Sequence, residues 1–363
     1  MIYRAIGLMS GSSLDGLDIA MVEFEEVRGQ WNYNVEAADT IAYSDEWKNK
    51  LQSATQMNAR DYLHLHSEYG LYLGKLTQEF IENNHLEHRV QMIASHGHTT
   101  FHEPQNQFTA QLGDGAAIAA ETNINVVSDL RALDVALGGQ GAPIVPMGEK
   151  FLFPDYGYYL NIGGITNISI QSEDKIIAFD VAPANRILNL LAAKKGQEFD
   201  GDGNIAAAGK VDTALLTKLN SLDYYKNSGA KSLANDFGTD TIFPIIENAQ
   251  LSTEDAMATY IEHIAMQIGY AVSANPRPKN SNKMLITGGG AFNAFLIKRI
   301  SYFMKQYGIE VVIPEKDTVA FKEAIIMAFL GLLRWREENT TLATVTGASR
   351  NSIGGAIWMG QEY

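Results

Sequence analysis

The chain has no cysteine in 363 residues, which excludes disulfides, thiolate metal sites, iron–sulfur clusters and thiol catalysis, and makes a reducing compartment the natural fit. Long apolar runs are missing too. The longest, Ala324 to Leu333, falls far short of the roughly 20 residues that span a bilayer. The opening MIYRAIGLMSGSS meets small and polar residues before any apolar stretch builds up, unlike a secretion signal. The cytoplasm is therefore the expected location, with no membrane partner. Cations are scarce: 28 Lys and Arg face 42 Asp and Glu, a net charge of −14. Such an excess repels nucleic acid, so a bound phosphate must be held by local amides, a metal and a few selected cations. Apolar residues are plentiful, 46% against 19% charged, enough for two cores, and two lobes are expected.

The apolar segments alternate between strand-like and helix-like patterns, which predicts an α/β fold. Ala5 to Ser10 reads as a strand, Gly11 to Gly16 as a turn of small residues, and Leu17 to Phe24 as a second strand. Asp15-Gly16 is a hairpin signal, because Gly tolerates the positive φ of tight turns. A helix is predicted over Ala59 to Asn84, then a strand over Val90 to Ser95. A second hairpin is expected where Tyr158 to Ile162 and Thr166 to Ile170 flank Gly163-Gly164, followed by a strand over Lys175 to Phe179. Later, Met284 to Thr287 leads through Gly288-Gly289-Gly290 into a helical pattern from Phe292 to Ile300, whose N-terminus would offer free amides. The lobe boundary is expected near Val127 to Gly141, with the tail Thr346 to Trp358 a candidate to cross back to the first lobe.

Five constellations have residue types suited to chemistry. In GLMSGSSLDGLD, Gly7 to Asp18, small residues let amides approach phosphate oxygens, and Asp15 and Asp18 offer water-mediated contacts to Mg²⁺; a plain structural hairpin is the competing reading. It is not a Walker loop, since no Gly-Lys-Ser/Thr follows and a strand comes next. SHGHTTFHEP, Ser95 to Pro104, carries three histidines but no nearby further ligand for zinc, and suits sugar hydroxyls or an ordinary polar loop. In SDLRALDVALGGQGAPIVP, Ser128 to Pro146, Arg131 has the donor fork for a carboxylate or phosphate, or pairs with an aspartate structurally. Asp180, ending the apolar run of IIAFDVAPAN, suits a base on water, or a cap of the next element. FDGDGNIAAAGK, Phe199 to Lys210, fails as a calcium loop because Ile205 and Val211 stand where Gly and Glu are required, which leaves Asp200 and Asp202 as turn or cap residues. The KEAIIMAFLGLL stretch is a core helix with Lys322 and Glu323 as site-facing exceptions.

These pieces in this order resemble the anhydro-N-acetylmuramic acid kinase family, within the wider group of sugar kinases, actin and Hsp70-type ATPases. The strongest matches are GLMSGSSLDGLD, SHGHTTFHEP, DLRALDVALGGQGAPIVP, LNIGGITNIS, FDGDGNIAAAGK and ITGGGAFNAFL, and the matches as a whole run from Gly7 almost to Gly355. The resemblance implies a two-lobed actin-like sugar kinase fold with a central ligand cleft, the first lobe over 1–130 and the second over 131–363. It implies ATP and Mg²⁺. Gly11, Ser12, Ser13, Leu14, Asp15, Gly16, Leu17 and Asp18 would lie at the phosphates. Gly163, Gly164, Gly288, Gly289 and Gly290 would face the nucleotide. The sugar would sit near His98, Arg131, Asp134 and Glu323. Asp180 would activate water to attack the anomeric carbon of a 1,6-anhydro ring, and the freed O6 would take the γ-phosphoryl group, giving N-acetylmuramic acid 6-phosphate for cell-wall recycling. A homodimer is likewise implied by the resemblance alone.

Three departures from the family pattern stand out. Val181, Ala182 and Ala184 replace Thr and two Gly around Asp180; Lys231 to Asp236 reads KSLAND where the family has an Arg-Glu pair; and Ser12 stands for Thr. If the missing glycines give backbone access to substrate, the pocket is narrowed. A different 1,6-anhydrosugar, or a non-catalytic nucleotide-dependent sugar sensor, are the alternative readings.

Overall fold

The computed structural model describes residues 1–11, 14–172, 176–226, 231, 233, 236–279 and 281–360. Ser12, Ser13, Lys175 and, within KSLAND, Ser232, Ala234 and Asn235 lie outside these. The chain divides into two compact units, Met1–Pro154 with Phe321–Tyr363, and Asp155–Ala320.

Unit 1 begins with two largely apolar segments that fold as an antiparallel pair buried on both faces. Strand β1, Ile2–Ser10, pairs with β2, Gly16–Val27, and β2 with β3, Gln30–Ala42. The helix Ala59–Asn83, capped by the Asn58 side chain on Asp61 N–H, carries the chain over to β4, Met92–Glu103, which lies parallel to β1. Then β5, Phe108–Leu112, folds back on β4, and β6, Val126–Ser128, runs parallel to it. One face of this sheet buries Ile6, Leu8, Leu17, Ile19 and Met21 with Leu65, Tyr69 and Leu73 of the helix. The other face carries a row of small residues, Ala20, Gly7 and Ala94, which are register neighbours on three adjacent strands. A Cβ added at Gly7 would run into the Ala324 carbonyl and Ala328 amide, and one at Gly331 into Ala94. The small row is what lets the helix Lys316–Trp335 lie directly on the strands.

Unit 2 repeats the opening device. Strand β7, Tyr158–Ile162, turns through Gly163-Gly164 into β8, Ile165–Gln171, and β9, Ile176–Pro183, follows antiparallel. Strands β10, Lys283–Thr287, and β11, Glu310–Val312, add in parallel on the β7 side, giving the order β11-β10-β7-β8-β9. The long helix Thr253–Ser273 covers this sheet through Tyr260, Ile264 and Ile268. The chain then returns: β12, Ala356–Trp358, pairs antiparallel with β6 and completes a seven-stranded sheet in unit 1.

The two-part α/β organisation expected from the sequence is present, but the division falls at 154/155 and 320/321 instead of 130/131. The physical reason is that residues 131–154 bond to unit 1. Phe153 packs edge-on against Tyr33 of β3, Phe151 lies against Phe329, and Glu149 pairs with Lys322 at 2.8 Å. Their apolar and charged partners lie far away in sequence, where periodicity gives no sign of them. The expected strand at 90–95 is also longer, running through all three histidines to Glu103.

Candidate active site

In unit 1 the end of β1 meets one predicted sugar residue, His98, on the adjacent strand β4. Ser10 is the register partner of His98 on β4, and its hydroxyl lies 3.4 Å from His98 Nδ1. The same hydroxyl takes hydrogen bonds from Tyr43 at 2.9 Å and Tyr69 at 3.0 Å, all within buried surroundings. Burial pushes His98 down to about 4, against a backbone contact with Gly11 that raises it. Gly11 is half-buried and Asp15 exposed, whereas the Leu17 side chain belongs to the core. Gly16 is required by packing: a Cβ there would stand 2.5 Å from the Ile41 carbonyl.

Asp18, on β2, accepts from the Thr40 hydroxyl at 2.6 Å. Its pKa rises to about 6, first through burial and then through the charges of Glu323 and Asp15, with Thr40 opposing. Glu323, near the start of the unit-1 part of Lys316–Trp335, is raised by burial, lowered by Lys322 and Arg131, and raised by Glu149. Asp18, Glu323 and Arg131 therefore share one electrostatic neighbourhood. Burial drives Arg131 down to about 10, with Glu323 opposing.

The other predicted sugar residue of unit 1 has a different surrounding. Asp134 is buried, and its carboxylate accepts from Gly141 N–H and from the Thr346 hydroxyl, both at 2.8 Å. Those partners tie the Gly138–Gly141 turn to the C-terminal segment. Lys322, read as site-facing, is 3% exposed and paired with Glu149. His96 was seen only as one of three histidines; its contact with Arg131 depends on Arg131 arriving from 35 residues further on.

In unit 2, Asp180 sits on β9 and is held on three sides. Its N–H donates to the Lys231 carbonyl at 3.0 Å, its carbonyl accepts from Tyr224 OH at 2.6 Å, and Oδ2 accepts from Leu233 N–H at 2.9 Å. Burial raises its pKa and the Leu233 amide lowers it. The Lys231 ammonium lies 4.4 Å from the Tyr224 ring centre. The substituted residues around Asp180 turn out to be core: Val181, Ala182 and Ala184 pack with Ile187, Leu188 and Tyr260. Their extra carbons fill unit 2's interior.

The glycine turns of unit 2 meet at two asparagines. Gly163 and Gly164 carbonyls accept from Asn185 and Ala184 N–H, and Asn185 Nδ2 donates to the Ile162 carbonyl at 3.2 Å. A Cβ on Gly288, which adopts φ 82°, would press on Asn161 Oδ1 at 2.6 Å, and one on Gly289 would stand 3.6 Å from Asn185 Nδ2. Gly290 is required by Ile162. Added Cβ atoms at Gly163 and Gly164 would meet nothing nearer than 3.6 Å and 3.9 Å, so their smallness leaves open space rather than relieving a clash. The helix after Gly290 starts at Ala294, and Asn293 already caps it through Leu296 N–H at 2.9 Å. The amides expected there are thus partly taken. Asp200 caps a short helix, accepting from Ile205 and Ala206. Among the described residues no group of three or more His, Asp or Glu could hold a metal ion, and none of their helices is long and apolar enough to cross a membrane.

Each unit is thus an α/β frame in which β-strands carry a half-buried aspartate, Asp18 on β2 and Asp180 on β9. The family described as anhydro-N-acetylmuramic acid kinase matches residues 3–360. An anhydro-N-acetylmuramic acid kinase of Aliivibrio fischeri is 34% identical over 98% of this chain and 99% of its own length. One from Pseudomonas syringae pv. syringae is 33% identical over 99% of this chain and 100% of its own. The chain belongs to the anhydro-N-acetylmuramic acid kinase family. Among solved structures, the activator of the 2-hydroxyisocaproyl-CoA dehydratase from Clostridium difficile with bound ADPNP is 14% identical, covers 92% of this chain and 97% of that one, and superposes with a TM-score of 0.46.

Proposed function

We propose that the chain is an ATP-dependent kinase that opens the 1,6-anhydro ring of anhydro-N-acetylmuramic acid and phosphorylates O6, giving N-acetylmuramic acid 6-phosphate. The observation that carries this reading is Asp180: the Leu233 amide fixes Oδ2, burial raises the pKa, and Oδ1 has no hydrogen bond among the described residues. A carboxylate so held is suited to take a proton. Water attacks C1, its proton passes to Asp180, the C1–O6 bond breaks, and O6 accepts the γ-phosphoryl group with ADP leaving. A bridged sugar has no O6 hydroxyl until that bond opens, so one base on water starts both events.

In this reading Asp180 is the base, the Gly163-Gly164 and Gly288-Gly289-Gly290 turns serve nucleotide, the Gly11–Asp18 turn serves phosphate, and His98, Arg131 and Glu323 serve the sugar. Asp134 serves by shaping the Gly141 turn beside Arg131. The oxygen donors of Asp15 and Asp18 suit Mg²⁺, and a cation would relieve the repulsion among Asp18, Asp15 and Glu323. When bound, it neutralises charge on the transferring phosphoryl group.

The test is mass spectrometry of the product formed from Mg-ATP and anhydro-N-acetylmuramic acid in oxygen-18 water. A product gaining one phosphate and one heavy oxygen, above the exchange seen in a control with preformed N-acetylmuramic acid 6-phosphate, is expected. Phosphate without heavy oxygen, or no product, overturns the coupled reaction. Asp180→Asn is expected to lower kcat by at least about a hundredfold, in the range typical of lost acid–base catalysis, while equilibrium binding of ATP and sugar is retained.

A further inference from the structure

Arg131 uses two of its donors inside the protein. Nε donates to His96 Nε2 at 2.8 Å, and Nη1 donates to the Gly141 carbonyl at 2.7 Å. A ring nitrogen that accepts from a guanidinium cannot itself carry a hydrogen, so the proton of neutral His96 sits on Nδ1. That atom lies 2.8 Å from the Gly97 carbonyl, which can only accept. The two partners of the ring agree on one tautomer. Gly97 adopts φ 70°, and a Cβ there would collide with the Leu112 carbonyl, so the residue that supplies this acceptor is held to glycine. Burial, the Arg131 charge and, to a lesser extent, His98 keep the His96 ring neutral, down at about 3, against the Gly97 contact. The contact thus persists across the neutral range.

We propose that His96 is a positioning residue for Arg131, turning the guanidinium so that its Nη1–Nη2 end faces ligand. A guanidinium grips a two-oxygen anion either along its Nε–Nη2 side or across its Nη1–Nη2 end. With Nε donated to His96 the side-on grip is closed. Nη2 has no hydrogen bond among the described residues, and Nη1 keeps a second hydrogen, so the end-on fork is left for one carboxylate or phosphate. The imidazole itself touches no ligand; it fixes the plane and direction of the group that does. This inference rests on the kinase reading in treating Arg131 as ligand-binding.

Turnover by the unaltered chain is established first, so that its failure counts against the kinase reading and not against the clamp. His96→Leu is then expected to raise KM for the sugar about tenfold or more, as for loss of a hydrogen bond to a charged group, with KM for ATP within about twofold. His96→Gln offers an amide oxygen in place of Nε2 and is expected to recover most of that loss. In an Arg131→Lys background, His96→Leu adds little. Equal effects of Leu and Gln, or an unchanged sugar KM in His96→Leu, would overturn the proposal. Long-range nitrogen–proton NMR of the unaltered chain decides independently of any variant's folding and of turnover. The Nδ1-protonated tautomer is expected from about pH 5 to about pH 8, and the Nε2-protonated tautomer would sink the clamp.

Discussion

Asp18 carries a charge that folding disfavours, and its titration has a definite sign. The folded pKa of about 6 lies above the usual value near 3.8, so the folded chain binds the proton more tightly than the unfolded one. Stability from this group is greatest below about pH 4 and is lost as pH rises through about 6. Asp18→Asn keeps an acceptor for the Thr40 hydroxyl and removes the charge. It is expected to raise the melting temperature at pH 8 and to converge with the unaltered protein near pH 4, followed by calorimetry across that range; a constant gap would refute the assignment. Lys322 carries a charge with a partner. Its pairing with Glu149 is buried on both sides, and Glu149 Oε2 has no partner among the described residues, so Lys322→Met leaves an uncompensated carboxylate. A loss of about 3–5 kcal/mol is expected in denaturant unfolding, largely recovered when Glu149→Leu is added. Neither Lys322 nor Asp134 announced its role in the sequence. A charged side chain on an apolar stretch has the same appearance whether it faces substrate or a buried partner 173 residues away.

The strands and helices were far more legible than the contacts of single side chains. The opening hairpin, the helix Ala59–Asn83 and the Gly163-Gly164 turn follow from short apolar runs, 3.6-residue periodicity and glycine placement. What local pattern did not show is why certain residues are small. Gly7 was read with the phosphate turn, yet its Cβ is excluded by the backbone of the late helix. Gly7→Ala is expected to push helix from strand and destabilise unit 1 by about 1–3 kcal/mol, the usual cost of overpacking, measured by urea unfolding; a neutral result would mean that the helix shifts freely. Val181, Ala182 and Ala184 give the converse case. Their burial with Ile187 and Tyr260 makes them part of the packing that carries Asp180.

Over the whole molecule, family membership spans residues 3–360, and the C-terminal tail belongs to unit 1. The tail joins unit 1 by more than its strand pairing: Trp358 Nε1 donates to the Ser128 hydroxyl at 3.1 Å and Gly360 N–H to Asn125 Oδ1, also at 3.1 Å. Ending the chain at Gly355 is expected to lower the melting temperature of unit 1 by several degrees, since lost edge pairing and one lost indole together are worth about 2 kcal/mol or more. Hydrogen exchange should place the newly exposed amides on β6. An unchanged exchange rate there would show that β12 is dispensable.

Because residues 155–320 are inserted within unit 1, the order in which a ribosome releases the chain differs from the order in which the units can finish. The inserted unit has every residue it needs while the first one still lacks the helix that lies on Gly7 and the strand that pairs with Val126–Ser128. At about 5–20 residues per second, the first 154 residues spend tens of seconds with that sheet face uncovered. The interval in which a nascent chain is most exposed to a chaperone or to a neighbour thus belongs to its first-made segment.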